Sequence, residues 1–548
     1  MKRPRDMDRR EFLQAAAGGV LGSVAGCAST RPKRPAGEQP QRPPVGKRQR
    51  PPNILVIMSD EHNPAVTGCY QNEIVRTPNL DRLAACGVTF DGAYTNSPLC
   101  VPSRLAFTAG KYISRTGAWS NSCWLPSAEY PSLPRIMNAA GYESFLCGKL
   151  HYDRTRRYGF TEIGGNMNNH YKTGKGRRRR ADDTTVNTKS RDRRFGDFHP
   201  GKDSNVLRHD REVTAGVIEF LNEQQRSDKP FFLFAGYLAP HFPLIVPAPY
   251  WEPYKNKVPM PALPAGHVAS QSLNYHHLRR GFGVVETDPA LVRKGRELYY
   301  GLTQWLDDEI GKVLGALADS DVADETVVVY TTDHGENMGE HALWWKNCMY
   351  EHAARVPLIV SWPERWSRGQ RRSRTCSMVD LVQTIADLGG AVVPDDWNGE
   401  SMCSWLDDPR ATWRDMAVSE YYAHNIASGF VMLRSDKYKY VYHTRMDDEH
   451  GPQHELYDLS ADPGEFANLA GRPDQAARID RMHKALVKEL GRDPDETEQI
   501  CRHDCAKGYG RPDPNPKRKG GRKRGAKRRP KPDARRQPTA TRTAGGGN

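Results

Sequence analysis

Four predicted strands of this 548-residue chain are each followed, at once or within a few residues, by side chains able to do acid–base or metal-binding chemistry. Asp60-Glu61 follows NILVIM (53–58), and Lys149-Leu150-His151 follows the strand expected over 142–147. His241, in PHFPL, lies a few residues past 231–235, and Asp333-His334 follows TVVVYT (326–331). Ligands of open α/β sheets bind at the carboxyl ends of strands. If these strands share a sheet, three carboxylates, several imidazoles and a lysine converge on one edge. Hard oxygen ligands favour Ca²⁺ or Mg²⁺, and one histidine is compatible with either. Each motif also has a plainer reading. An acidic pair after a strand can cap a helix, a histidine after proline in a loop can be structural, and a free cysteine such as Cys100 is ordinarily buried and inert.

The elements that must position these groups alternate between strand and helix. NILVIM and TVVVYT are continuous apolar runs of the kind buried on both faces of a parallel sheet. Helices are expected over 78–85 (with Pro78 in the first turn), 133–140, 211–225 and 301–317, interleaved with strands over 142–147 and 231–235. This order predicts an α/β fold with a large, mostly parallel sheet flanked by helices, spanning 53–415. Beyond about residue 415 the texture changes. KYKYVY (437–442) alternates like an antiparallel strand with one wet face, and 476–490 is an amphipathic helix. A small C-terminal α+β subdomain is expected over 416–495.

The composition is 37% hydrophobic and 27% charged, polar for a globular protein but not for a disordered one. The formal net charge of +14 comes from two arms: residues 1–51 carry +8 and 507–548 carry +13, which leaves −7 for the body. The basicity is thus peripheral, and specific nucleic-acid binding is not expected. The eleven cysteines are irregularly spaced without a CxxC pair, against a zinc ribbon or a dense disulfide framework. The N-terminus reads as a secretory signal over 1–27: a basic stretch with Arg9-Arg10 before Phe12-Leu13, a mild apolar run, then Val24-Ala25-Gly26-Cys27. The twin arginine points to the export route for folded proteins, and the ending resembles a bacterial lipobox that lipidates Cys27. The expected location is periplasmic or at the cell surface, on a lipid anchor. Residues 28–52 read as a disordered Pro/Arg-rich tether and 507–548 as a disordered basic tail. A basic, loop-like insert at 172–194 carries ten Lys/Arg against three Asp.

The most specific signal is Cys100-Val101-Pro102-Ser103-Arg104, with Gly110 behind it. It resembles the signature of the type I sulfatases, in the alkaline-phosphatase superfamily. GKLH (148–151), PHFP (240–243), DHGE (333–336), GEHALWWK (339–346), RVPLIV (355–360) and ELYDL (455–459) follow in the family's order. The resemblance implies that Cys100 becomes a formylglycine (3-oxoalanine), installed by a formylglycine-generating enzyme that reads the unfolded chain. Modification would therefore precede twin-arginine export. The hydrated aldehyde is a geminal diol. One hydroxyl takes the sulfate, and deprotonation of the other expels it. By resemblance, modified Cys100 is nucleophile and metal ligand, with Asp60, Glu61, Asp333 and His334 completing a site for Ca²⁺, Mg²⁺ or Mn²⁺ being alternatives. Arg104 would fix the diol and offset negative charge, and Lys149 and Lys346 would bind sulfate oxygens. His151 would take the proton during release, and His241 would protonate the leaving oxygen.

The chain departs from the family pattern in two places. Many relatives have Asp-Asp where this chain has Asp60-Glu61, and the usual Thr-Gly after the cysteine is Ala109-Gly110. The implied reaction is hydrolysis of an organic sulfate ester, and the cationic insert suits a sulfated carbohydrate, possibly a polyanionic glycan. Trp119, Trp124, Trp344 and Trp345 are candidates for stacking on a sugar, or for core packing. The alternatives are a choline, aryl or alkyl sulfatase, a phosphodiesterase or phosphonate monoester hydrolase on the same scaffold, and a non-catalytic glycan-binding lipoprotein.

Overall fold

The computed structural model describes residues 51–152, 156–164, 186–223, 228–366 and 368–507. The expected signal peptide, most of the tether, nearly all of the tail, and residues 172–185 of the insert lie outside them. In chain order the elements that matter are β1 (Asn53–Asp60), α1 (Pro78–Ala85), β2 (Val88–Tyr94), α2 (Cys100–Ala109), α3 (Leu133–Ala139), β3 (Glu143–Gly148) and β4 (Thr161–Ile163). They continue with α4 (Thr188–Phe195), α5 (Asn205–Glu223), β5 (Phe231–Pro240), α6 (Pro289–Ala318), β6 (Thr326–Thr332), β7 (Leu358–Ser361), β8 (Gln370–Ser377) and α7 (Met378–Leu388). The chain closes with β9 (Met416–Tyr421), β10 (Phe430–Ser435), β11 (Tyr438–His443), β12 (Gln453–Asp458), α8 (Ala476–Leu490) and α9 (Pro494–Ala506).

The first eight strands form one sheet in the order β8-β2-β7-β6-β1-β5-β3-β4. β1 pairs parallel with both β5 and β6, and β5 pairs parallel with β3. β7 runs antiparallel to both its neighbours, β2 and β6. β1 shows why its run is apolar throughout. Leu55 and Ile57 enter one core layer with α1, α5 and α6, while Ile54, Val56 and Met58 enter the other with α2, α3 and α7. Successive strand residues face opposite ways, so a strand covered on both faces has no wet positions. The expected mostly parallel α/β sheet is therefore present, with helices on both faces.

Several boundaries moved. α6 begins twelve residues before the expected 301, because Asp288 caps it through the Ala290 N–H and Pro289 takes the first turn. α5 likewise begins at 205 rather than 211. β9 to β12 form an antiparallel meander, with the expected α8 against it. β11 is not half-wet as its alternation suggested. Lys439, Val441 and His443 are buried on one face, Tyr440 and Tyr442 on the other, since α8 covers one side and the main body the other. The insert is not wholly loop, because residues 188–195 are helical with Asn187 accepting the Ser190 N–H. Trp119, Trp344 and Trp345 are core residues, 1–2% exposed, so they offer no face to a sugar. Trp124 is half-buried under Arg156.

Candidate active site

β1 ends on Asp60, and Glu61 is the next residue. β6 ends one residue before Asp333-His334, β3 one before Lys149, and β5 one before His241. These four strands are adjacent, β6-β1-β5-β3, so their carboxyl ends meet. Two glycines allow the closest approach. A Cβ at Gly236 would run into the Lys149 backbone, and one at Gly148, where φ is +89°, into the Gly236 carbonyl. Left-handed backbone recurs at non-glycine residues that aim side chains inward: Glu61 (φ 67°), His151 (φ 61°), and Trp345 and Asn347 (φ 65° and 81°) on either side of Lys346. Such conformations persist only where the surroundings over-determine them. At Glu61 the N–H donates to Asp333 Oδ1 at 3.2 Å, and Tyr299 Oη donates to its carbonyl at 2.6 Å.

Cys100 is the first residue of α2, whose amino end carries positive partial charge. Its Sγ lies 3.2 Å from His334 Nε2 and 3.9 Å from Asp60 Oδ1. One turn along, fully buried Arg104 joins three strand ends. Nε donates to Asp333 Oδ2 at 2.7 Å, Nη2 to Asp60 Oδ2 at 3.0 Å and Ser59 O at 3.1 Å, and Nη1 to Lys149 O at 2.7 Å. Its guanidinium is engaged with these groups rather than with the Cys100 side chain. Lys149 Nζ pairs with Asp60 Oδ2, and Lys346 Nζ with Glu61 Oε2 at 3.0 Å. His241 Nε2 lies 3.3 Å from Glu61 Oε2 and 3.8 Å from Asp60 Oδ1, while its Nδ1 sits 2.5 Å from the Phe242 carbonyl. His151 is buried among the charges of Lys149, Asp60, Arg104 and His241.

Burial opposes the charge on every one of these groups, and neighbours decide the outcome. Asp60 is held well below the usual carboxylate range, because Lys149, His241, Arg104 and His334 outweigh its burial. Glu61 is raised well above its range by burial, with Lys346 opposing and Glu336 adding to the rise. Burial and the Asp60 charge push the unmodified Cys100 thiol up to about 12, so it is a neutral thiol at pH 7. His151 is driven toward its neutral form by burial and Lys149, and His241 by burial and Lys346.

Sequence reasoning missed Glu336. Buried behind Glu61, its Oε1 accepts the Met338 N–H at 2.8 Å and the Trp345 N–H at 2.6 Å, fixing the loop that carries Lys346. Four buried carboxylates (Asp60, Glu61, Asp333, Glu336) thus face three buried cations (Arg104, Lys149, Lys346). Ligand atoms of Asp60, Cys100, Asp333 and His334 lie within 4.8 Å of one another, and those of Asp60, Glu61 and His241 form a second such group. Glu61 Oε1 is buried without a hydrogen-bond partner. A carboxylate excess with an orphaned oxygen fits a divalent cation. A cavity of about 260 Å³ opens onto Cys100, His241 and Lys346. Asn121, Arg193, Arg194 and His424, which no motif marked, also line it. Asn121 has a structural part too, since its Oδ1 accepts the Val101 N–H at 3.0 Å.

The cluster brings a candidate nucleophile, an imidazole and a lysine to one cavity, with a candidate cation-binding set of carboxylates beside them, the equipment of an ester hydrolase. The sulfatase family model matches residues 52–391, and that of the N-sulphoglucosamine sulphohydrolase C-terminal region matches 339–492. The chain belongs to the sulfatase family and is a sulfuric ester hydrolase. It is 28% identical over 462 residues to the uncharacterized sulfatase YidJ of Escherichia coli K12 (81% of this chain, 88% of that one). It is 29% identical over 460 residues to the choline-sulfatase of Rhizobium meliloti (77% and 83%). A structure solved with its substrate D-glucosamine-2-N,6-O-disulfate matches the fold at a TM-score of 0.66 and 23% identity, covering 82% of this chain and all of that one.

Proposed function

We propose that this sulfatase releases inorganic sulfate from a sulfated carbohydrate, through a formylglycine derived from Cys100. The observation that carries the reading is the position of Cys100: at the amino end of α2, against His334 and Asp60, and on the wall of a cavity shared with His241 and Lys346.

The residues fit a divalent cation, which Asp60, Glu61, Cys100, Asp333 and His334 would hold. Bound there, an ion such as Ca²⁺ supplies Lewis acidity toward a sulfate oxygen and lowers the pKa of the nucleophile. Lys149 and Lys346 bind and orient the sulfate, and their charge grows in value as charge builds on its oxygens. One diol hydroxyl gives its proton to water in the cavity and its oxygen attacks sulfur, and the sugar oxygen leaves with a proton from His241 Nε2. In the free site burial and Lys346 keep that imidazole neutral. An incoming sulfate pairs with Lys346 and adds a negative charge beside the ring, and both changes draw a proton to Nε2. His151 then takes the proton of the second hydroxyl, the C–O bond to sulfate breaks, and the aldehyde re-forms and is rehydrated. Arg104 is a positioning residue that locks Asp60, Asp333 and the Lys149 carbonyl in place.

The test is a substrate panel: a sulfated monosaccharide, choline sulfate, an aryl sulfate, a phosphodiester and a phosphonate monoester. The reading expects sulfate release with the sugar ester preferred. Faster turnover of the phosphorus esters would instead assign a phosphodiesterase or phosphonate hydrolase. We further propose twin-arginine export and anchoring through Cys27. Cys27→Ser should then move the protein from the membrane fraction to the soluble fraction, and an unchanged distribution would exclude the anchor.

A further inference from the structure

One wall of the cavity is cationic for reasons the sulfate chemistry does not supply. Arg194, next to last in α4, is 9% exposed and borders the cavity together with the exposed Arg193. Its guanidinium carbon lies 4.4 Å from the ring centroid of Trp345, 4.5 Å from that of Phe242 and 5.3 Å from that of Phe282. Phe242 directly follows His241, and Trp345 directly precedes Lys346. The segments that set the proposed acid and the sulfate-binding lysine therefore also hold Arg194. Among the described residues, the cavity lining contains Arg193, Arg194 and Lys346 and no carboxylate.

Two consequences follow from charge and shape. A box of aromatic rings is the usual receptor for a quaternary ammonium. Here the box is filled by the chain's own guanidinium, so a choline headgroup meets both an occupied site and a like charge. A stacked guanidinium is also pre-organised, losing little rotamer freedom when its edge takes an anion.

Resting on the sulfatase reading above, we propose that Arg194, assisted by Arg193, is a specificity-determining residue that binds a second anionic substituent of the substrate, a carboxylate or another sulfate, beside the ester being hydrolysed. Substrates with two anions on one or adjoining rings are favoured, and choline sulfate is disfavoured.

The experiment measures kcat/KM for the parent full-length protein, Arg194→Met, Arg194→Lys and Arg193→Ala. The probes are p-nitrophenyl sulfate, N-acetylglucosamine 6-sulfate, glucosamine-2-N,6-O-disulfate, a sulfated uronate and choline sulfate. The parent is expected to prefer one of the two doubly anionic sugars over the singly sulfated sugar by about tenfold or more, and which one identifies the second anion as sulfate or carboxylate. Arg194→Met is expected to lose roughly 10- to 100-fold on that sugar, mostly through KM, and about threefold or less on p-nitrophenyl sulfate, as for a charge-assisted hydrogen bond. Arg194→Lys should recover part of the loss, and Arg193→Ala should show the same pattern more weakly. Equal losses on all substrates in Arg194→Met would make Arg194 purely structural and overturn the proposal. So would a parent with no preference for a second anion, which holds as a test even if Arg194→Met fails to fold. Absence of sulfate release from every probe would instead defeat the sulfatase reading itself.

Discussion

Lys346 and Lys439 are both buried lysines held against glutamates, yet they sit in clusters built to opposite ends. Lys439, fully buried on β11, lies 2.7 Å from Glu351, 2.7 Å from Glu465 and 2.8 Å from the Met349 carbonyl. Its ammonium thus has two ion pairs and one hydrogen bond, the last to the Met349 carbonyl. This closed cluster joins the small C-terminal sheet to the turn at 351–354. Among the described residues Lys346 has one hydrogen-bond partner, Glu61 at 3.0 Å, and it lines the cavity beside Cys100. Its own pKa is raised, the acidic groups Glu61 and Asp60 beside it outweighing burial, so it remains a cation. Buried charge alone does not mark a functional site. Incomplete pairing next to a cavity does, because the missing partners are left for a ligand.

The largest expected effect lies at the open cluster. Cys100→Ala should cost at least about a thousandfold in turnover while the melting temperature barely moves, since the nucleophile is gone and little packing is lost. Cys100→Ser should be nearly as inactive, lacking the second hydroxyl that releases sulfate. Turnover near the parent rate in the alanine variant, with sulfate release as the assay, would remove Cys100 from the reaction.

The two lysines then give opposed outcomes. Lys346→Met should reduce kcat by about 10²- to 10³-fold with a modest change in stability. Lys439→Met leaves the buried Glu465 and the half-buried Glu351 with one partner fewer and should cost about 3–5 kcal/mol of unfolding free energy, with kcat retained in the folded fraction. Chemical denaturation and initial rates on both variants test the contrast, and it collapses if both lose activity and stability alike.

A smaller, selective effect belongs to His241. His241→Ala should lose about 10²-fold or more on an alkyl or sugar sulfate, and much less on an activated aryl sulfate whose oxygen leaves without a proton. Equal losses on both would assign His241 to binding rather than to acid catalysis.

The smallest effect is a pH slope from the closed cluster. Burial raises Glu465 to about 7 from 4.5, with Lys439 opposing and the Glu351 charge adding to the rise. A folded pKa above the unfolded one stabilises fully below about 4.5, and the contribution is lost as pH rises through about 7. The parent should therefore melt a few degrees lower at pH 8 than at pH 5. Burial raises Asp307 and Glu420 to about 7 as well, so Glu465→Gln, which mimics the protonated form, should reduce that slope without abolishing it. A slope unchanged in the variant would place the titrating group elsewhere.

Much of the site was legible because buried parallel strands leave a plain trace. NILVIM and TVVVYT are apolar without alternation, so the first polar residues after them, Asp60 and Asp333, had to emerge at a sheet edge. Cys100 and Arg104 were legible through their spacing, four residues apart on one helix face. The direction of β7 was not, because RVPLIV reads the same in either orientation. Nor was Arg194. A run rich in Arg and Asp looks like a solvated loop, and the rings that stack on this one arginine come from positions 242, 282 and 345, far away in sequence. Glu336 was visible within DHGE, but its work on the Lys346 loop depends on the fold of residues 338–345. The tryptophans at 344 and 345 were open to stacking or core packing for a related reason: next to a site residue in sequence, they point into the core behind it.

The claim on which the rest depends is the chemical state of residue 100. It is tested most directly by the mass of the proteolytic peptide spanning Cys100, from protein active in sulfate release. The account predicts the mass of the aldehyde or its hydrate. Fully active protein in which that peptide carries only the intact thiol would contradict it.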